Sequence, residues 1–114
     1  MTPFDSSGAL PMINVQQLKA LRDAGEAHLV LDVREASELQ AASLDGALHV
    51  PLMTLPDRVS EIPADMPVVV MCHHGMRSMN AVQWLRANGM DNVVNLIGGI
   101  SAWAREVDPS VGSY

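Results

Sequence analysis

Cysteine is almost absent from this chain: of 114 residues, only Cys72 carries a thiol. No internal disulfide can form, so nothing points to an oxidising compartment. No second thiol can resolve an oxidised Cys72, and any covalent intermediate on it has to be discharged by another molecule. Lysine is equally scarce, with Lys19 alone, and no basic run occurs. A nucleic-acid surface needs clustered Lys and Arg to displace counterions, which excludes that partner class. The formal net charge of -6 suits solubility instead. Long apolar runs are missing too. None approaches the roughly 20 residues of a membrane helix. The opening Met-Thr-Pro-Phe-Asp-Ser-Ser-Gly has neither the basic start nor the apolar stretch of a signal peptide. The expectation is a cytoplasmic protein with no membrane partner. No internal repeat, low-complexity tract or linker interrupts it.

What is present suits one globular domain: a domain's length, with 48% hydrophobic residues. Residues 1–12 are small, polar and Pro-containing, and read as a loosely packed arm. Ile13 starts a very short strand, and Asn14 can cap a helix running to Asp23 along Val15, Leu18 and Leu21. Strands are expected at His28–Asp32, Ala47–Val50, Val68–Met71 and Val93–Leu96. Helices are expected at Glu35–Ala42, at Thr54–Glu61 (Pro56 suits a first helical turn), at Ser78–Asn88 and at Ile100–Glu106. Val68-Val69-Val70-Met71 lacks polar alternation, as a parallel strand covered on both faces requires. Alternating strands and helices imply an α/β domain over 13–106 with a mostly parallel, about five-stranded sheet and helices on both faces. Residues 107–114 read as a frayed tail.

The chemistry lies in Met71-Cys72-His73-His74-Gly75-Met76-Arg77-Ser78. Cys72 directly follows the buried strand, and in open parallel sheets ligands bind beyond the carboxyl ends of strands. Gly75 gives the loop conformations closed to other residues. The loop can then curl so that successive N–H groups point inward, a nest for anions next to a helix N-terminus. With Arg77 added, this setting favours a thiolate at Cys72 and would hold a persulfide anion equally well. Free cysteine is often only a small buried hydrophobe. A cysteine at a strand end, before a Gly-containing loop and an Arg, is a different matter.

Cys-His-His-Gly-Met-Arg-Ser resembles the active-site loop of rhodanese domains, Cys-x-x-Gly-x-Arg-Ser/Thr. Two further stretches agree. Leu31-Asp32-Val33-Arg34-Glu35, with Asp45-Gly46-Ala47 and Val50-Pro51, resembles the family's N-terminal signature. Asn95-Leu96-Ile97-Gly98-Gly99-Ile100, with Trp103, resembles its C-terminal one. The resemblance spans about residues 13 to 106. It implies a single-domain sulfurtransferase with Cys72 as nucleophile and persulfide carrier, and no cofactor. The amides of His73, His74, Gly75, Met76, Arg77 and Ser78 would cradle the sulfur. Arg77 would close the loop and attract an anionic substrate, and Asp32 and Arg34 would support the loop from the neighbouring strand. The donor would be a small sulfur anion such as thiosulfate, and the acceptor cyanide, a thiol or a thioredoxin-like protein. The chain departs from the family at Ala42-Ser43-Leu44, where Gly-His-Ile is common, and at Ser37, often an aromatic. Both are scaffold positions.

Three other readings compete with this one. Phosphatases and arsenate reductases of related fold place five residues between Cys and Arg. Here there are four, His73 to Met76, a tighter nest suited to a single sulfur, and no acid lies in the loop for a leaving group. A metal site is not expected. Cys72, His73 and His74 are consecutive, whereas zinc ligands are spaced apart, and His28 and His49 fall in strands. His73 and His74 are expected instead to line the pocket mouth and, partly protonated, to add positive charge. The third reading is a sulfur-carrier module for a protein partner, with little turnover of its own. The sequence leaves the oligomeric state open.

Overall fold

A computed structural model describes residues 11–114, so the proposed arm lies outside the described residues except for its last two positions. Short strands and helices alternate along the chain. Strand β1 (Met12–Ile13) leads into α1 (Val15–Asp23), and β2 (Leu29–Asp32) into α2 (Ala36–Ala41). Strand β3 (Leu48–His49) is followed by a 3₁₀ turn, α3 (Leu55–Arg58) and a second 3₁₀ turn. Then come β4 (Val68–Met71), α4 (Met76–Ala87), β5 (Val93–Leu96), α5 (Gly99–Glu106) and a last 3₁₀ turn, Pro109–Val111. All strands pair in parallel in the order β1-β5-β4-β2-β3. The expected five-stranded α/β sheet is what forms.

The apolar pattern explains the layers. Every residue of β4 and β5 is buried, since helices cover both faces. Side chains alternate across the sheet. Val69, Met71, Val94 and Leu96 join Leu18, Leu21, Ile100 and Trp103 of α1 and α5. Val68, Val70 and Cys72 join Leu55, Ala81, Val82 and Leu85 of α3 and α4. This alternation aims Cys72 at the α4 side. Asn14 caps α1 as expected, in a capping box with Gln17.

Four local expectations differ from the structure. Helix α4 starts at Met76 rather than Ser78, with Gly75 as its N-cap. The segment 54–61 is one short helix framed by 3₁₀ turns. His28 lies just before β2, with Nδ1 2.7 Å from the Glu26 carbonyl. The C-terminal segment is docked rather than frayed: Ser43 N–H donates to the Val111 carbonyl at 3.0 Å, and Gly112 forms a bridge with Ala42. Gly112 permits that approach, because a Cβ there would stand 2.2 Å from the Ala41 carbonyl oxygen.

Candidate active site

Strand β4 lies in mid-sheet, and its carboxyl end sits between those of β2 and β5. The chain leaving β4 therefore meets the segments leaving both neighbours. Cys72 is the first residue past the strand and is 1% exposed. Its body packs in the α4-side core, but its sulfur meets polar groups. The Gly75 N–H donates to Sγ at 3.1 Å, and the Ser78 hydroxyl lies 3.3 Å from Sγ. Ser78 donates its one proton to Asn95 Oδ1, so a Cys72 S–H donates to Ser78. Once the sulfur ionises, that hydroxyl can turn to it.

The loop is held by its carbonyls. Those of Cys72 and His73 accept from Ile100 N–H (3.0 Å) and Ser101 N–H (3.1 Å) at the start of α5. That of Gly75 accepts from Asn95 Nδ2 at 3.2 Å. Trans peptides are planar, so fixing these carbonyls turns the N–H groups of His73, His74 and Met76 away from α5 and β5. Among the described residues, the amides of His73, His74, Met76, Arg77 and Ser78 have no acceptor. With the Gly75 amide already on the sulfur, these free donors beside a helix N-terminus are available to an anion.

Two glycines make the geometry available. Gly75 adopts φ +113°, a conformation that side-chain-bearing residues rarely take. At Gly99 (φ +59°), a Cβ would lie 2.4 Å from the Cys72 carbonyl oxygen and 2.5 Å from that of His73. Gly99→Ala should therefore push the loop off α5 as well as strain the backbone. The expected cost is about 2 kcal/mol or more, read by urea denaturation, together with a loss of Cys72 chemistry. Wild-type stability in the variant would show that the close approach is not needed.

Arg77, at the far end of the loop, is held by α2. Its two terminal nitrogens donate to the two Glu38 oxygens at 2.6 and 2.8 Å. Arg77, followed by the Tyr114 hydroxyl, holds the Glu38 carboxyl far below the usual carboxylate range, against the opposing effect of burial. The expected free attractive charge at Arg77 is thus largely compensated within the protein. His73 also differs from expectation: burial first, then the neighbouring His74, lowers its pKa from the ordinary value, so it adds little positive charge near neutral pH. His74 is exposed and stacks at a tilt on His73, with centroids 3.9 Å apart, and the exposed Met76 side chain points to solvent.

Asp32 and Arg34 form a fully buried, bidentate pair (Nε–Oδ1 2.9 Å, Nη2–Oδ2 2.7 Å). The remaining donors of Arg34 reach the Ala42 and Glu38 carbonyls and the Tyr114 hydroxyl. The pair therefore braces α2 and, through it, Glu38; its hydrogen bonds go to α2 and Tyr114 rather than to Cys72. Asn95, Glu38 and Tyr114 were not anticipated. Asn95, a polar residue inside the buried run Val93–Leu96, carried a signal that sequence reasoning could have used. Among the described residues no cluster of His, Cys, Asp or Glu could hold a metal, and no helix is long and apolar enough to cross a membrane.

Comparison with known proteins gives a consistent picture. The family model for the rhodanese-like domain matches residues 14–106. The chain is 36% identical over 125 aligned positions to adenylyltransferase and sulfurtransferase MOCS3-1 of Zea mays, with 96% of this chain and 27% of that protein covered. It thus spans about a quarter of that relative. It is 35% identical over 91 positions to thiosulfate sulfurtransferase GlpE of Shewanella oneidensis, covering 80% of this chain and 89% of that protein. Among solved structures, a rhodanese-related protein from Thermoplasma volcanium superposes with a TM-score of 0.75 at 34% identity, covering 84% of this chain and 92% of its own.

Proposed function

The chain belongs to the rhodanese-like domain family, and from that premise we propose that it transfers sulfane sulfur from thiosulfate, or a related donor anion, through a persulfide on Cys72. The observation that carries this reading is the Cys72 sulfur at the floor of a loop whose amide donors are otherwise unused. The Shewanella relative named as a thiosulfate sulfurtransferase supports the choice of donor.

In the first half-reaction the Cys72 thiolate attacks the outer sulfur of thiosulfate. A bond forms between Sγ and that sulfur, the sulfur–sulfur bond of thiosulfate breaks, and its electron pair leaves with sulfite. The new bond, about 2 Å long, carries the reactive atom outward from its buried start. The loop amides stabilise its negative charge as they did that of the thiolate. In the second half-reaction cyanide, a small thiol or a thioredoxin-like protein attacks the outer sulfur, and the bonding pair returns to Cys72. One site serves both halves, so ping-pong kinetics follows. The test is the intact mass of the protein after incubation with thiosulfate. It should rise by one sulfur atom and return to its starting value on addition of cyanide. No gain, or a gain elsewhere than at Cys72, would end the proposal. Loading by thiosulfate with negligible turnover on cyanide and thiols would favour the sulfur-carrier alternative.

Arg77 acts here mainly by fixing the loop end through Glu38. Arg77→Ala should lower kcat/KM for thiosulfate about tenfold, the loss of roughly 1.4 kcal/mol of transition-state binding. Arg77→Lys should recover only part of it, since an ammonium cannot make the two-pronged contact. Full rescue by lysine would assign Arg77 a purely electrostatic role.

A further inference from the structure

The C-terminal segment holds the single tyrosine of the chain, and that residue reaches both ends of the Cys72 loop. At the first loop position, the Tyr114 ring stacks on the His73 imidazole, with centroids 3.8 Å apart and planes 9° from parallel. His73 Nε2 lies 3.0 Å from the Tyr114 backbone oxygen. At the last position, the Tyr114 hydroxyl donates to Glu38 Oε2 at 2.6 Å, the same oxygen that accepts from Arg77 Nη2. The same hydroxyl accepts from Arg34 Nη1 at 3.0 Å. It thereby links the buried Asp32–Arg34 pair to the Glu38–Arg77 pair. Tyr114 is nevertheless 46% exposed as a residue, so core burial does not account for its placement. The segment before it is aligned by the contacts of Val111 and Gly112 with Ala42 and Ser43.

We propose that Tyr114 is a positioning residue for sulfur transfer, which grips His73 by stacking and Arg77 through Glu38 and so keeps the loop amides arrayed around Cys72. The role rests on the sulfurtransferase reading for its consequence, but the grip itself does not. A nest works only if its donors are fixed before the charge arrives, because reorganising them during the reaction costs the stabilisation they supply. Tyr114 fixes the two loop ends that α5 and Asn95 leave unheld: the His73 side chain and the Arg77 guanidinium.

The test compares Tyr114→Phe and Tyr114→Ala with wild type in two measurements. One is hydrogen exchange at the bonded amides that report the loop's closure, Gly75 on Cys72 Sγ and Ile100 and Ser101 on the loop carbonyls, relative to β4 and β5. The other is the rate of sulfur loading of Cys72 from thiosulfate, followed by intact mass. Tyr114→Ala should speed exchange in the loop by about tenfold, leave β4 and β5 unchanged, and slow loading by about tenfold. Tyr114→Phe keeps the stack but loses both hydroxyl bonds, and should slow loading by about threefold. In an Arg77→Ala background Tyr114→Phe should add nothing further, since its hydroxyl acts through that residue. Unchanged loop exchange and loading in Tyr114→Ala would overturn the proposal. So would exchange that rises equally in β4 and β5, which would make the residue a general stabiliser. Wild type that takes up no sulfur, with Tyr114→Ala still loosening the loop alone, would retain the grip and remove the sulfurtransferase reading.

Discussion

Cys72→Ser should lose sulfur loading from thiosulfate by about a thousandfold or more while the protein stays folded. A serine oxygen forms no persulfide, and an alcohol ionises far less readily than a thiol. The fold should tolerate the change because the new hydroxyl finds partners already in place. The Gly75 N–H can donate to it, and the Ser78 hydroxyl can accept from it. A buried polar group with partners costs about 1 kcal/mol or less. Circular dichroism and urea denaturation would read stability, and a discontinuous stopped assay for thiocyanate would read transfer. Transfer at a tenth of the wild-type rate in the serine variant would place the nucleophile elsewhere.

The largest expected effect on stability is at Asp32. Asp32→Ala leaves the guanidinium of Arg34, 0% exposed, without its counter-charge in the interior. Removing one partner of such a pair costs about 3–5 kcal/mol, which is a large part of the stability of a domain this size. The damage should spread along named contacts. Arg34 also holds the Ala42 carbonyl and the Tyr114 hydroxyl, so α2, Glu38 and Arg77 should loosen with it. The double variant Asp32→Leu/Arg34→Met should recover much of the loss in urea unfolding, because two apolar groups leave no charge stranded. It should not recover catalysis fully, since the Tyr114 hydroxyl loses one of its two anchors. Equal stability of Asp32→Ala and wild type would show that water or another group satisfies Arg34.

The geometry of the Cys72 loop was legible in the sequence because its determinants are contiguous. A strand end, a cysteine, a glycine and an arginine within eight positions impose one local geometry. The parallel sheet was legible because strands buried on both faces carry runs such as Val68–Met71. Ser78 misled as the expected first residue of the helix: α4 starts two residues earlier, behind Gly75 as its N-cap, and the Ser78 hydroxyl serves Cys72 and Asn95. The charge expected on His73 failed for want of burial information. A histidine beside a histidine, under a tyrosine ring, is not the free imidazole that composition suggests.

The clamp on the loop was illegible for a different reason. Glu38 lies 39 positions from Arg77 and 76 from Tyr114, and no periodicity or motif links such residues. The docked C-terminal segment belongs to the same class. Its sequence, with Pro109, Gly112 and Ser113, carries turn formers and few apolar anchors. Its order comes from backbone pairing with Ala42 and Ser43 and from one aromatic contact. Tertiary hydrogen bonds of that kind are outside the reach of local patterning.

In the proposed transfer, the backbone around Cys72 holds the migrating sulfur. A crystal structure of thiosulfate-treated protein tests it most directly. One additional sulfur on Sγ, within hydrogen-bond reach of several free amides of residues 73–78, is the expected density. An unmodified Cys72, or an added sulfur directed away from those amides, would contradict the account.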